Sequence, residues 1–271
     1  MRSVALTTFV ALVLGASPAS TQSPSVPHSD SVFLEELTWV EVRNAIADGK
    51  TTVIIPTGGT EQNGPHMALG KHNYLVKYKT GQIAEQLGNA LVAPVMAYVP
   101  EGEVDPPTSH MRFAGTITIP QDVFTAVLEY AARSFRQHGF TDVAFVGDSG
   151  GNQEGQRLVA EALNEEWAAT TTRVHHIAAY YPGRGDEWVI SQGVSADDVG
   201  SHAGTHDTSS LMYLNPSMLR FDQMRPGQSD DGQGHTGDPA KSTALFGKRI
   251  VEMQVDDAVS ELREQRVSSR R

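Results

Sequence analysis

Short apolar runs alternate along this chain with longer segments in which apolar residues recur at helical spacing. The apolar runs predict strands at residues 52–55, 90–95, 142–146 and 174–179, and a β-branched run at 115–119 predicts another. Helical periodicity predicts helices at 39–48, 73–87, 121–138, 154–167, 208–214 and from 242 past 262. The apolar stripe predicted for the helix at 121–138 comprises Val123, Val127, Tyr130, Ala131 and Phe135.

The order of these elements predicts the fold class. Thr38 and Glu41 have the spacing of a capping box, and Gly49 follows the first helical segment as a stop signal. Helices that alternate with short apolar strands favour a mostly parallel sheet covered on both faces. We therefore predict an α/β fold, a single-domain three-layer α/β/α sandwich.

The amino terminus has the pattern of a secretory signal. Arg2 precedes an apolar run at 4–14, and small residues follow up to Ser20. We predict a signal peptide at 1–20, a Ser/Pro-rich flexible lead-in at 21–32, the globular domain at 33–262 and a polar tail at 263–271. The apolar run is too short to span a membrane, so the predicted location is periplasmic or secreted. The alternative is an apolar leader that the chain keeps.

Composition narrows the chemistry. A net charge of −11 argues against nucleic acid and anionic membranes as partners, although acidity also serves solubility. The absence of cysteine excludes disulfides, thiolate nucleophiles and cysteine-ligated metals. Any metal would be held by histidine and carboxylate, which suits Zn, Mn or Fe.

The residues able to do chemistry follow predicted strands. Residues 56–72 form a Gly/Pro-rich loop that carries Glu61, His66 and His72. A second Gly-rich turn, at 146–152, carries Asp148 and Ser149. Loops at the carboxyl ends of parallel strands meet at one edge of a sheet, where α/β proteins place their sites. The second turn could instead cradle phosphate or present Ser149 as a nucleophile, but it lacks the P-loop lysine and the Gly-x-Ser-x-Gly pattern.

Two further segments carry histidines. Residues 201–209 bring His202, His206 and Asp207 together among small neighbours, which leaves room for a substrate. Imidazole beside carboxylate is a common pairing in metal and acid–base sites. The segment at 108–116 contains His110, which could line the pocket or cap a strand.

Taken in order, these segments resemble the creatininase family of metal-dependent amidohydrolases. The resemblance rests on Thr38-Trp39, residues 59–69, His110 with 113–116, residues 147–152, residues 202–209 and Gly-Asp-Pro at 237–239. It implies a creatininase-like fold, an oligomer that is often a hexamer, and a two-metal centre. The family motifs contain four metal-ligand positions, and the chain keeps the family residue only at Glu61. Asn63 replaces a His, His72 replaces an Asp, and Ser149 replaces a second His.

These departures predict an exchange of ligands. His72 would supply nitrogen, and Asp148 would replace a lost carboxylate, so that the predicted metal ligands are Glu61, His72, Asp148 and Asp207. Because histidine does not bridge two metals as a carboxylate does, one divalent metal is predicted rather than two. The alternative is a metal-free binding protein on the same scaffold.

The resemblance also implies the reaction. It predicts metal-dependent hydrolysis of a C–N bond in a cyclic or linear amide of a small-molecule substrate, with a metal-dependent lactonase as the alternative. The predicted catalytic residues are Glu61 and His202, the latter as proton donor to the leaving nitrogen. Substrate contacts are expected from Asn63, His66, His110, Ser149 and His206.

Overall fold

The sheet has four parallel strands. The structure is a computed structural model that describes residues 30–228 and 231–269. Within these ranges the strands are β1 (Thr52–Thr57), β2 (Ala90–Val92), β3 (Asp142–Gly147) and β4 (Arg173–His176). Their order in the sheet is β2-β1-β3-β4, and each neighbouring pair is parallel. The predicted signal peptide, and the lead-in up to residue 29, lie outside the described residues.

Helices connect and cover the strands. They are α1 (Trp39–Ala47), α2 (Lys71–Leu87), α3 (Gln121–Gln137), α4 (Gly150–Glu166), α5 (Gly185–Ser191), α6 (Ala196–Val199), α7 (Thr205–Leu214) and α8 (Ala244–Ser268). Short 3₁₀ turns lie between them, among them Ser109–Arg112 and Ala178–Tyr180. In the part of the chain that the structure describes, every helix is too short or too polar to cross a membrane.

Two apolar cores separate three layers. Alternate residues of a strand point to opposite faces of the sheet, so Val53 and Phe145 pack under α1, α3 and α4, whereas Ile54 and Val146 pack under α2 and α8. Thr38 caps α1 in the predicted capping box with Glu41. The three-layer α/β/α prediction is confirmed.

Two predicted elements are wrong in detail. Residues 115–119 form no strand, because Ile117 makes only an isolated bridge to Thr60. The second is the apolar stripe of α3.

Two apolar stripes lie side by side on α3. The stripe that is buried comprises Phe124, Leu128 and Ala132, and the side chains of Phe124 and Leu128 fill the core.

The predicted stripe on α3 is buried only in part, because Ala131 and Phe135 pack against the core from its edge. Val123, Val127 and Tyr130, which were predicted to be buried, have 43%, 47% and 70% of their surface exposed. Spacing alone could not distinguish the two stripes, since both repeat every three to four residues.

The C-terminal helix runs further than predicted. The predicted polar tail begins at residue 263, but α8 continues to Ser268. Within this extension Arg266 Nε lies 3.3 Å from Asp142 Oδ2, and the other carboxylate oxygen of Asp142 lies 3.0 Å from His175 Nε2. The end of α8 is therefore attached to the amino-terminal edge of the sheet.

The opposite edge of the sheet carries the predicted loops. Both β1 and β3 end there, at Thr57 and Gly147. The buried side chain of Asn152, in the first turn of α4, donates to the carbonyl oxygens of Thr57 and Gly58 at 3.3 and 2.8 Å. This bond fixes the loop after β1 against the turn after β3.

Candidate active site

A cavity of about 480 Å³ opens at this carboxyl edge of the sheet. It combines residues from all four predicted segments. The chemically active side chains that line it are Glu61, Lys71, His72, Lys79, Glu101, His110, Asp148, Ser149, Asp186, His202, His206 and Asp207. The structure thus brings together eight of the ten predicted site residues.

The other two, Asn63 and His66, lie behind the cavity wall and are fully buried. Asn63 donates to the backbone oxygen of Glu61 at 2.9 Å, and His66 Nε2 donates to the backbone oxygen of Ala203 at 3.0 Å. Burial lowers the pKa of His66 to about 4, so its ring is neutral. Both side chains hold loops in place, and neither is among the residues that line the cavity.

His72 lies between two carboxylates. Its Nε2 is 2.7 Å from Glu61 Oε1, and its Nδ1 is 2.8 Å from Asp148 Oδ2. Burial alone would raise the pKa of both acids, but the pKa of Glu61 is held well below its usual range by His72, and that of Asp148 is lowered by Lys79 and His72. Ionised carboxylates only accept hydrogen bonds, so both ring nitrogens of His72 donate.

Two lysines complete this buried group. Lys71 Nζ lies 2.8 Å from Asp207 Oδ2 and 4.0 Å from Glu61 Oε1. Lys79 Nζ lies 3.3 Å from Asp148 Oδ1, which also accepts from the hydroxyl of Tyr180. Burial would lower the pKa of Lys71, but Asp207 and Glu61 raise it. We call Glu61, Lys71, His72, Lys79, Asp148 and Asp207 the inner cluster.

The predicted four-ligand metal set does not fit this arrangement. His72 has no lone pair left for a metal, because both of its nitrogens donate to carboxylates. Asp148 and Asp207 face the ammonium groups of Lys79 and Lys71 instead of an open position. The ligand roles of His72, Asp148 and Asp207 stay a prediction, and the described contacts give each of the three another partner.

A different set of donors does converge. Glu61, His110 and His202 each offer a ligand atom, and these atoms all lie within 4.8 Å of one another. His110 Nε2 is 3.3 Å from Glu61 Oε2, and His202 Nδ1 is 3.7 Å from Glu61 Oε1. Ligands about 2.1 Å from a tetrahedral zinc are separated by about 3.4 Å, so these spacings suit one such ion. We call these three residues the outer trio.

Gln62 orients both histidines of the outer trio. His202 Nε2 donates to the backbone oxygen of Gln62 at 2.9 Å, which leaves the lone pair on Nδ1, facing Glu61. Burial lowers the pKa of His202 to about 4, and it also lowers the pKa of His110. Neutral imidazoles of this kind are suitable metal ligands. The ring proton of His202 points to the Gln62 backbone oxygen and away from Glu61. This hydrogen bond favours His202 as a metal ligand over its predicted role as proton donor.

His110 needs one adjustment to bind a metal. The side-chain oxygen of Gln62 accepts from the Gly64 amide, which turns the Gln62 amide nitrogen toward His110 Nδ1 at 3.0 Å. The proton of His110 is then on Nε2, near Glu61. A metal at Nε2 requires that proton to move to Nδ1 and the Gln62 amide to rotate. The donor types and spacings fit a metal once this has happened.

Glu101 supports the shared carboxylate. Burial, and then Glu61, raise the pKa of Glu101 to about 10, so its carboxyl group is neutral and hydrogen-bonds Glu61. One oxygen of Glu101 has no partner among the described residues. Glu101 lies in the Pro-rich segment between β2 and α3, which showed no catalytic motif.

Polar groups also line the outer part of the cavity. His206 Nδ1 lies 2.6 Å from Asp186 Oδ1, and Asp186 is well exposed. Ser149 immediately precedes α4, and its hydroxyl makes no hydrogen bond to any residue that the structure describes. A serine nucleophile needs an adjacent base, so the alternative of a serine hydrolase gains no support.

Lys71, Lys79 and Glu101 were missed from the sequence. The two lysines are eight residues apart on α2, and Leu75 lies midway between them on the same buried face. A lysine in the apolar stripe of a helix is a usable signal, because lysine is almost never fully buried unless it is paired. Glu101 offered no comparable signal.

Comparisons with known proteins agree with the fold. Residues 35–262 match the family Creatininase, described as creatinine amidohydrolase. The mycofactocin precursor peptide peptidase of Mycobacterium tuberculosis (strain CDC 1551 / Oshkosh) is 30% identical over 234 residues, which cover 77% of this chain and 83% of that protein. Creatinine amidohydrolase of Pseudomonas putida is 26% identical over 204 residues, which cover 72% and 76%.

A solved structure named Creatininase Mn superposes with a TM-score of 0.70 at 22% identity, covering 87% of this chain and 98% of that one. At this identity the superposition shows a common fold. It agrees with the α/β/α sandwich that the strand order and the two apolar cores define.

Proposed function

Because the chain belongs to the creatininase family, we propose that it is a hydrolase that cleaves a C–N bond in a small amide. We propose further that one divalent metal, Zn or Mn, is held by the outer trio of Glu61, His110 and His202. The observation that carries this proposal is the convergence of three donors at the cavity. Three protein ligands and an open fourth position are typical of catalytic zinc sites.

The side chains that line the cavity would have different roles in the reaction. A metal in the outer trio would polarise the amide carbonyl and make a water molecule more acidic. His202 and Glu61 would hold their ligand atoms in place through Gln62 and Glu101. His206, paired with Asp186 in the outer part of the cavity, can carry a proton toward the leaving nitrogen.

The names of two relatives and the size of the cavity support the proposed substrate class. The two relatives act, by their names, on a peptide and on creatinine, and both reactions break a C–N bond of an amide. A cavity of about 480 Å³ can hold a small cyclic amide or the end of a short peptide. We propose a polar substrate, because charged and polar side chains make up most of the wall.

We also propose export to the periplasm or beyond, on the pattern of residues 1–20. The mass of the mature protein, purified from its native host, tests this proposal. Cleavage near residue 20 is expected, and a chain that keeps Met1 or Arg2 would contradict it.

Metal analysis and a substrate panel test the central proposal. The purified protein, dialysed after exposure to Zn or Mn, is expected to contain one metal per chain by mass spectrometry of the elements. Creatinine, hydantoin, short peptides and γ-butyrolactone are then assayed with the loaded protein. Hydrolysis of an amide but not of the lactone supports the proposal.

Glu61→Gln provides the matched variant, since it keeps the shape of the side chain and removes its charge. It is expected to lose both metal and activity. Lactone hydrolysis alone would favour a lactonase, and a wild-type protein without metal and without activity would favour the metal-free binding protein.

A further inference from the structure

We propose that Lys71, His72 and Lys79 take the place of a metal in the inner cluster, so that this part of the cavity binds no divalent ion. The inner cluster lies where the sequence predicts a metal centre. It contains all four predicted ligands, of which Glu61 is shared with the outer trio. The inference concerns the inner cluster alone, and it holds whether or not the outer trio binds a metal.

Each carboxylate of the inner cluster already has a basic side chain against it. Lys71 Nζ lies 2.8 Å from Asp207 Oδ2 and Lys79 Nζ lies 3.3 Å from Asp148 Oδ1. The ring of His72 lies between Glu61 and Asp148. Buried charges persist in proteins when they are paired, and the two ammonium groups stand where a metal would have to approach these carboxylates.

The contacts already use the ligand atoms of His72 and Asp148. Each nitrogen of His72 is within 2.8 Å of a carboxylate oxygen. The two oxygens of Asp148 are used by different partners, with His72 on one and Lys79 and Tyr180 on the other. A metal would have to break several of these bonds at once.

The lysines also have no nearby alternative position. Lys71 and Lys79 each have about 1% of their surface exposed, and both project from the buried face of α2. Lys71 is the first residue of α2 and Lys79 lies near its middle, so moving either ammonium group out of the inner cluster would disturb the packing of this helix. The cations are therefore fixed parts of the site.

Metal counting in two proteins tests the inference. The wild-type chain and a His110→Ala/His202→Ala variant, which lacks two of the outer ligands, are each equilibrated with Mn²⁺ or Zn²⁺ and analysed for bound metal. The inference predicts at most one metal in the wild type and none in the double variant. Two metals in the wild type, or one that persists in the double variant, would overturn it.

The same measurement keeps the two proposals apart. One metal in the wild type and none in the double variant supports both. No metal in either protein contradicts the proposed metal at the outer trio and leaves the inference about the inner cluster supported.

Removing one lysine from the inner cluster provides a second test. Lys71→Met, added to the His110→Ala/His202→Ala background, removes the ammonium group that lies against Asp207 and Glu61 and leaves these carboxylates open to a cation. Mn²⁺ binding by calorimetry is expected to become at least about tenfold tighter than in the background, a change of about 1.4 kcal/mol. Folding is checked by circular dichroism, and a folded triple variant with unchanged Mn²⁺ affinity would contradict the inference.

Discussion

The inner cluster and the outer trio share Glu61 but solve different physical problems. The inner cluster sets two lysines and a histidine against three carboxylates, and every member except Asp207 is almost fully buried. The outer trio has one carboxylate and two neutral imidazoles, and about a quarter of the surface of each imidazole is exposed. In the inner cluster the basic side chains already occupy the carboxylates, whereas in the outer trio His202 keeps an unused lone pair on Nδ1.

This difference shows that carboxylates and histidines at the right place in the chain do not define a metal site. What decides is whether the donors still have lone pairs to offer. In the inner cluster, two lysines that belong to no recognised motif occupy the carboxylates. In the outer trio, the hydrogen bond from His202 Nε2 to Gln62 leaves the Nδ1 lone pair of His202 available. The predictions below test whether the two regions differ in this way.

The largest effect is expected from the outer trio. His202→Ala removes a proposed ligand, and we expect kcat/KM for the amide identified by the panel to fall by about 10³-fold. This corresponds to about 4 kcal/mol of transition-state stabilisation. Steady-state kinetics at saturating Zn²⁺ measures it. A variant that keeps more than a tenth of the wild-type activity would remove His202 from the mechanism.

The inner cluster should control stability more than the outer trio does. Lys79→Met leaves the buried Asp148 without its ammonium partner, and breaking a buried ion pair costs about 3–5 kcal/mol in the free energy of unfolding. Urea denaturation measures it. The control is Lys248→Met, which removes an exposed lysine paired with Glu252 on α8 and should leave the midpoint unchanged. Equal effects of the two substitutions would contradict the prediction.

An intermediate effect concerns pH and His66. Its pKa is about 4 in the folded chain and about 6.5 when unfolded, so the unfolded state takes up a proton first as the pH falls. The stabilisation is complete above about pH 6.5 and is lost as the pH falls toward 4. Between pH 7 and pH 5 the loss from this residue is about 2 kcal/mol.

His66→Gln isolates this contribution, because glutamine keeps an N–H donor for the Ala203 oxygen and has no proton to gain. The free energy of unfolding of the variant should fall less between pH 7 and pH 5 than that of the wild type, by about 2 kcal/mol. Parallel pH profiles for the two proteins would show that His66 does not titrate in this way.

The smallest effect on stability is expected for His110→Asn. The ring is partly exposed and neutral, and its loss should change the free energy of unfolding of the metal-free protein by less than about 1 kcal/mol. Zn²⁺ affinity should nevertheless fall, which calorimetry measures. A large loss of stability without any change in metal affinity would make His110 a structural residue.

Most of the fold could be predicted from the sequence, because period-two and period-3.6 patterns report burial directly. Strands β1 and β3 and helices α1, α2, α3 and α8 were all found within a few residues of their bounds. The sequence could not tell which stripe of α3 faces the core, since Val123 and Phe124 begin equally regular patterns. Such a choice depends on the shape of the facing sheet.

The location of the candidate site could be predicted from the sequence, but the hydrogen bonds and ion pairs between its residues could not. Residues on four separate loops were expected at one edge, and eight of the ten line the cavity. Their partners could not be derived, because Lys79 reaches Asp148 across 69 residues and Gln62 reaches His202 across 140. Protonation depends on these distant contacts, and it turns His72 from a proposed ligand into a proposed cation.

The attachment of Arg266 to Asp142 has a practical consequence for anyone who shortens this chain. The family match stops at residue 262, which makes that position an obvious place to cut. A chain cut there would lose Arg266 and with it a cation beside the buried first residue of β3. Residues up to 268 should be kept in any shortened version, and an affinity tag needs a spacer so that the last turn of α8 can still close over the sheet.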